Sequence, residues 1–429
     1  MTKAPAAKTT VLFIFIAVLV DIIGLGIIAP VVPGLIMDLT GEGVSRAAIY
    51  GGWLYFTYAV MQFFCAPILG NLSDRVGRRP VILFSLFALG VDYLIMGFAP
   101  TLTWLFVGRT LAGMAGASFI PAYAYLADVS PPEKRAQNFG IVGAAFGLGF
   151  IIGPSVGGLL GEIGVRVPFF AAAGLALANV TFGYFVLPES LPKESRRAFN
   201  IHRANPVGAL QQIRKYPQVP ALAAAVFFWQ VGHQVLPSTW AFYTMFKFHW
   251  TEAMVGISLG AVGLVTAISQ GLLTRVVIPG VGERRAAVMG LVCAFCAYVV
   301  FAFASRGWMM FAGMSAWLLA GLVYPSMQAI MSQQVPANAQ GELQGAVASL
   351  YSLAAVIGPP LMTQLFGRFS ADGAPIHFPG AAFLCAASLM AVSGVLLVRA
   401  IRRGAARERV RTPAATTVEP AVPMETKPV

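Results

Sequence analysis

The chain has 429 residues, of which 58% are hydrophobic and only 11% charged, with a mean hydropathy of +0.75. No soluble globular domain of this size carries that composition, so lipid must be its solvent. The formal charge of +12 would suit a nucleic-acid partner, but the basic residues gather in the short segments beside apolar runs, which excludes that reading.

Apolar runs of about 20 residues, enough to cross a hydrocarbon core roughly 30 Å thick, recur twelve times. They predict spans over 11–33, 51–70, 81–100, 102–127, 136–160 and 167–187, then over 220–246, 254–275, 286–304, 308–331, 343–366 and 380–399. The first run is longer than the apolar core of a signal peptide and lacks a small-residue cleavage site, so it reads as a true span. With the N-terminus placed inside, 23 Lys and Arg residues fall on the cytoplasmic side, five on the other, and Arg109 within a span. This is the positive-inside pattern, and it predicts two cytoplasmic termini.

Span 1 contains LVDIIGLGIIAPVVP, with Asp21 midway along an otherwise oily helix that Gly24, Gly26, Pro30 and Pro33 keep irregular. An ionisable residue inside a bilayer costs about 2.5–3.5 kcal/mol on insertion scales and is kept where it has a partner or a task. A carboxyl group taken out of water can change protonation near neutral pH, so Asp21 reads as a proton or cation site. Spans 2 and 3 are joined by GNLSDRVGRRP. Here Gly70 and Gly77 permit a tight connection, Pro80 can open the next helix, and Asp74 can meet an arginine (Arg75, Arg78 or Arg79) or a helix N-terminus. Asp92 and Arg109 lie at similar depth on spans 3 and 4, as a structural ion pair or as direct participants in proton or substrate binding. Asp128 ends span 4. Span 5 carries GFIIGPSVGG, in which Gly149, Gly153, Gly157 and Gly158 lay a smooth face for a neighbouring helix and Pro154 removes a backbone hydrogen bond.

The stretch 188–218 is the longest polar segment before the tail and divides the spans six and six. The predicted organisation is an N-terminal bundle (1–187), a central cytoplasmic loop (188–219), a C-terminal bundle (220–403) and a disordered tail (404–429). The halves echo one another: Ile152-Gly153-Pro154 recurs as Ile357-Gly358-Pro359, and Trp104, Pro121 and Pro132 recur as Trp308, Pro325 and Pro336. Such duplication marks repeat-built transporters, with the substrate site between the repeats. On span 7, Gln230 and Gln234 share a helix face beside His233, where amides with Trp229 and Trp240 could hold a polar aromatic molecule. His233 itself suits either helix-interface hydrogen bonding or a proton relay. Cys293 and Cys296 form a CxxC, but it lies within a span and without a second pair, so no metal site is expected.

The segment 70–80 matches the signature of the major facilitator superfamily, and 149–158 resembles the antiporter motif of its drug:proton exporters. LVDIIGLGIIAPVVP, VDYLIMGFAP, GRTLAGMAGAS, VGERRA, SRGW and GELQG look like the corresponding stretches of tetracycline:proton antiporters. The resemblance implies an all-α integral membrane fold of twelve helices in two pseudo-symmetric six-helix bundles. It also implies proton-driven export of a drug-like amphipathic molecule, tetracycline first, across the inner membrane without a cofactor. In that family Asp74, Arg78 and Asp128 would form a cytoplasmic charge cluster that holds the outward-facing state and opens in the inward-facing one. The glutamines of span 7 match a similarly spaced pair. The pattern fails at Thr266 and Ala294, where tetracycline exporters carry a histidine and an aspartate. Rival readings are a carrier of a sugar or organic acid, a polytopic enzyme, and a sensor without flux. The absence of HExxH, GxSxG and GxxxxGKS/T patterns weighs against an enzyme or ATP drive.

Overall fold

The structure, a computed structural model, describes residues 7–116, 119–131, 134–199, 216, 219–336 and 339–411. Among them every regular element is helical. Ten helices are long and apolar enough to cross a bilayer, and the pair Ile14–Ile28 and Val32–Thr40, bent by 44°, makes an eleventh span. Span 4 consists of Leu102–Ala115 and Phe119–Val129, on either side of residues 117–118, which lie outside the described residues. Each of the twelve predicted spans thus has its helix. Lipid offers no partner to an open backbone N–H or C=O, so a chain this apolar must satisfy them within helices.

Backbone-breaking residues shape the individual spans. Span 1 runs Ala7–Ile28, turns through Pro30, and continues as Val32–Thr40 with Pro33 in its first turn. The prolines kink this run without ending it, so it extends past the predicted end at 33. Gly41, at φ +69°, closes it by donating its N–H to the Met37 carbonyl at 2.8 Å. Spans 2 and 3 are Val44–Val76 and Arg78–Phe98, spans 5 and 6 Arg135–Ile163 and Val167–Val186. Span 7 breaks at Gln234 into Val219–His233 and Val235–Phe248. Span 9 is Glu283–Phe303, span 10 breaks at Gly321 into Trp308–Ala320 and Val323–Ser332, and span 11 is Gln340–Ser370. Span 8 is Glu252–Ile268 and Thr274–Val281 with a widened π turn, Ser269–Leu273, between them. The Thr274 hydroxyl donates to the Ser269 carbonyl there at 3.1 Å. Span 12, Ala381–Arg411, continues eight residues past the expected start of the tail, because GAARERVR is rich in strong helix formers. The rest of the predicted tail, the N-terminal arm before residue 7, and 200–215 and 217–218 of the central loop lie outside the described residues.

Within the N-terminal half, span 1 packs on spans 5 and 6, and span 3 on spans 4 and 6. Within the C-terminal half, span 12 packs on spans 7 and 9, and span 9 on span 10. The two bundles meet through spans 5 and 8 and through span 2 against spans 7 and 11. The glycine-lined approaches lie on the half of the molecule away from the chain ends. Ser370 donates to Ser45 at 2.7 Å, Gly51 lies under the Phe242 ring, Gly52 faces Thr363, and Gly367 receives Ile49. In the second seam Gly256 faces Pro154 and Gly158, Gly260 faces Ser155 and Ile151, and Gly263 faces Phe150. Toward the opposite face a Cβ built on Gly147 would lie 3.8 Å from Ala267, and Tyr123 of span 4 is near enough to Tyr324 of span 10 to interact electrostatically. A Cβ on Gly140, Gly143, Gly271, Gly341 or Gly345 would meet nothing within 4 Å. Among the described residues the glycine seams thus seal the bundles on one face and part on the face that carries Ala7 and Arg411.

Candidate functional site

The three ionisable residues deep in the N-terminal bundle come together. Asp92 has no solvent exposure and Asp21 is 4% exposed. Arg109 reaches from span 4 to form an ion pair and hydrogen bond with Asp92. Gly108, beside that arginine, makes the room: a Cβ there would lie 2.6 Å from the Asp92 Oδ1. The guanidinium also sits 5.7 Å over the Tyr58 ring of span 2, and the Tyr58 hydroxyl accepts from Gln62 at 3.1 Å. On span 1, Gly24 is one turn from Asp21, and the Tyr93 ring lies beside it, 3.4 Å from where a Cβ would stand. Asp21, Asp92 and Arg109 all act electrostatically on both Tyr58 and Tyr93. Four spans therefore contribute to one buried polar cluster with two carboxylates, one guanidinium and two phenols. Tyr58, Gln62 and Tyr93 were not legible as site residues, since a tyrosine inside a span costs little and raises no flag; Tyr93's adjacency to Asp92 was the available signal.

The glycines of span 5 form two faces. Gly149 rests on Ile22, Gly153 on Ile23 and Gly26, and Gly157 on Ile27, so span 1 lies flush along one side. Gly158 and the Pro154 carbonyl take span 8 on the other, at Ala253 and Gly256. The helix itself is continuous through Pro154. Its partner glycines, Gly256, Gly260 and Gly263, passed unread although GxxxG spacing signals close helix approach. This antiporter-like motif is thus where the N-terminal bundle's carboxylate-bearing helix and the inter-bundle seam share one helix.

At the parted face, Asp74 pairs with Arg78 at 2.5 Å and Arg78 with Asp128 at 3.3 Å, while Arg78 also donates to Ser73 at 2.6 Å. Gly77 holds φ +113°, a conformation that suits glycine, and lets the chain reverse between spans 2 and 3. The start of the central loop binds the same cluster: Glu189 accepts the Arg78 N–H at 2.8 Å, Ser190 donates to Asp128 at 3.0 Å, and Arg197 N–H to the Asp74 carbonyl at 3.0 Å. Arg79 turns to the Tyr184 carbonyl and ring; Arg75 is exposed, and the Gly70 carbonyl accepts from Ser73. Every contact named here joins residues of the N-terminal bundle and the start of the loop that follows it.

The C-terminal half offers a different surface. Gln230 and Gln234 are half-buried, and Gln234 packs its side-chain stem on Gly358 of span 11 where span 7 breaks. His233 lies with its ring 5.6 Å from both Trp229 and Trp317; Trp229 stacks at 6.3 Å on Tyr324, which meets Tyr351 at 5.7 Å. Trp240 is not part of this wall. It is 1% exposed, its indole N–H donates to Ser258 at 2.9 Å, and it packs on Phe301 in the core. Ala294 is fully buried and Thr266 half-buried. Among the described residues no group of His, Cys, Asp and Glu is placed to hold a metal ion.

The sequence profile of the Major Facilitator Superfamily matches residues 14–359 and again 236–427. The chain belongs to the major facilitator superfamily. It is a transporter, not an enzyme, and the likeness to tetracycline exporters read from its motifs holds over nearly its whole length. It is 39% identical over 388 residues to the class C tetracycline resistance protein of Escherichia coli, covering 90% of this chain and 95% of that one. To multidrug resistance protein 2 of Bacillus subtilis (strain 168) it is 28% identical over 401 residues, covering 91% and 95%. The solved nucleoside transporter NupG superposes with a TM-score of 0.73 at 12% identity, covering 92% of this chain and 99% of that one, which establishes the shared fold. As a multi-pass membrane member of this superfamily, the chain has its buried charges in one bundle and its aromatic wall in the other.

Proposed function

We propose that the protein is a proton-coupled antiporter that exports a drug-like amphipathic compound, tetracycline first, from the cytoplasm across the inner membrane, with both termini cytoplasmic. The observation that carries this reading is the buried Asp21 beside the Asp92–Arg109 pair, in a bundle pair sealed on one face only. By the basic-residue asymmetry the parted face is cytoplasmic, so the conformation is inward-facing and open to cargo from the cell. A carboxylate in the bundle interior exchanges its proton with one face and then the other as access alternates. One proton moving inward down 100 mV yields about 2.3 kcal/mol, enough for a roughly fifty-fold cargo gradient in one-for-one electrically silent exchange. No cofactor is required for that work. Similarity to resistance proteins favours drug export over carriage of a sugar or organic acid.

Thr266 and the buried Ala294 favour a second reading of cargo within the same mechanism. Without a histidine and an aspartate there, the C-terminal wall presents Trp229, His233, Tyr324 and Tyr351, which suits a flat aromatic compound that need not carry a chelated metal. The test is uptake of tetracycline into inverted vesicles under a proton gradient, wild type against Asp21→Asn. Accumulation that collapses with a protonophore and is absent in Asp21→Asn supports the proposal. Proton-driven accumulation undiminished in Asp21→Asn removes Asp21 from it, and a folded wild type without tetracycline flux moves the search to other aromatic drugs.

A further inference from the structure

Tyr93 is wholly buried, and its hydroxyl makes no hydrogen bond among the described residues. A buried phenol normally finds a partner. Its ring lies against span 1: a Cβ on Gly24 would stand in ordinary contact, 3.4 Å from Cε2 and 3.5 Å from the hydroxyl oxygen. Gly24 and Asp21 are successive residues on one face of span 1, so the hydroxyl stands at the flank of the Asp21 side chain. The charged and titratable groups that act on it come from four spans, Asp21 from span 1, Tyr58 from span 2, Asp92 from span 3 and Arg109 from span 4, while span 6 meets span 3 with apolar residues such as Phe169, Ala172 and Ala173. The arginine holds Asp92, the next residue in the chain, so a movement of span 1 against span 3 shifts Asp21 relative to an anchored phenol.

We propose that Tyr93 is a positioning residue for the proton site, its hydroxyl being the donor that the ionised Asp21 carboxylate takes up as the bundle changes conformation. The phenol keeps its proton throughout; only its acceptor changes. This rests on the reading of Asp21 as a proton site given above. The duplicated half supplies an internal control. Tyr298 stands 205 residues on and is equally buried, among Trp317, Phe301 and Phe383; among the described residues its hydroxyl makes no hydrogen bond and no charged group acts on it. A tyrosine that only fills space behaves alike at both positions.

The experiment is an infrared pH titration of the purified protein in lipid, in which the Asp21 carboxyl band is isolated as the difference between wild type and Asp21→Asn. In Tyr93→Phe, which keeps the ring on Gly24, the midpoint of that band moves by about one pH unit, a tenfold change in proton affinity, because the ionised form loses a donor. In Tyr298→Phe it stays. A midpoint unmoved in Tyr93→Phe overturns the proposal, as does an equal displacement in both variants. Should Tyr93→Phe fail to fold, 3-fluorotyrosine at position 93 alters only the acidity of the hydroxyl: a displaced midpoint supports the role and an unmoved one overturns it. Proton-driven tetracycline uptake in proteoliposomes is read beside the titration. If wild type takes up none while the midpoint responds to Tyr93→Phe, the antiport reading fails and the role of Tyr93 stands.

Discussion

Adding one methyl group at Gly256 should tilt the conformational equilibrium of the transporter. A Cβ there would lie 3.0 Å from the Gly158 Cα and closer still to the Pro154 carbonyl oxygen. Both obstacles are backbone of span 5, which cannot rotate away as a side chain does; relief comes only from moving span 8 off span 5. Overpacking of this kind typically costs about 1–3 kcal/mol. The seam exists only while the face away from the chain ends is sealed, so the cost falls on that state alone and shifts the population ratio by about five- to 150-fold toward the alternative. The assay is a spin-label distance measurement between the exposed Glu162 at the end of span 5 and the exposed Asp372 after span 11, each changed to Cys. The native Cys65, Cys293, Cys296 and Cys385 are replaced first. Gly256→Ala should enlarge the long-distance population, while Gly271→Ala, whose Cβ would meet nothing within 4 Å, should leave it unchanged. An unaltered distribution in Gly256→Ala refutes the argument that the glycine seam sets the sealed state.

Arg109→Met strands the Asp92 carboxylate at zero exposure, and breaking such a pair from one side costs about 3–5 kcal/mol; thermal unfolding in detergent should show the loss, and Asp92→Asn added to it should recover a substantial part. Glu189→Ala removes the cap on the first N–H of span 3, a loss of about 1 kcal/mol, and loosens residues 188–197 from the charge cluster; trypsin should then cut faster at Arg196 and Arg197 than in wild type. Restoring the exporter-like aspartate as Ala294→Asp buries an unsupported carboxyl group in a fully packed site, so the yield of folded protein by size exclusion should fall, without a gain in tetracycline flux.

What the sequence disclosed about this fold follows from what is costly in lipid. Spans were legible because twenty apolar residues in a row have few other uses, and Asp21, Asp92 and Arg109 because charges inside a bilayer are rare. The 70–80 and 149–158 segments were legible because glycine spacing and the i,i+4 separation of Asp74 and Arg78 act within one segment. What stayed hidden depends on distant chain. The π turn at Ser269 has no local marker; it forms where span 10 brings Gly321 against the Ser269 side chain. Glu189 and Ser190 reach the charge cluster across more than sixty residues of sequence, so their binding of Arg78 and Asp128 could not be read from spacing. Trp240 looked like a cargo contact because aromatic residues serve both cores and binding walls, and only Ser258 and Phe301 beside it decide which.

The internal duplication bears on how the two halves divide the work. At a lag of 205 residues Gly108 corresponds to Gly313, and each makes room for the facing helix of its own bundle: Gly108 for Asp92 and Met96, Gly313 for Phe301, which is itself the counterpart of Met96. The register of packing is therefore shared, so substitutions within it compare like with like. At that lag Asp92 becomes Ala297 and Arg109 becomes Met314, both buried among apolar neighbours, while Tyr93 remains a tyrosine. Gly153, which rests on span 1 near its bend, becomes Gly358, which rests on span 7 at its break near Gln234. The scaffold is the same in both bundles, and the buried carboxylates with their arginine lie in one of them. On the antiporter reading this asymmetry has a physical logic. A carboxylate that must gain and lose a proton needs a fixed counter-charge and few competing charges around it, whereas a flat amphipathic cargo needs aromatic area and amides. A bundle with Asp21 and Asp92–Arg109 serves the first requirement, and one with Trp229, His233, Tyr324 and Gln230 serves the second. Coupling between them must then pass through the surfaces they share, chiefly the seam where span 5 touches span 1 on one side and span 8 on the other.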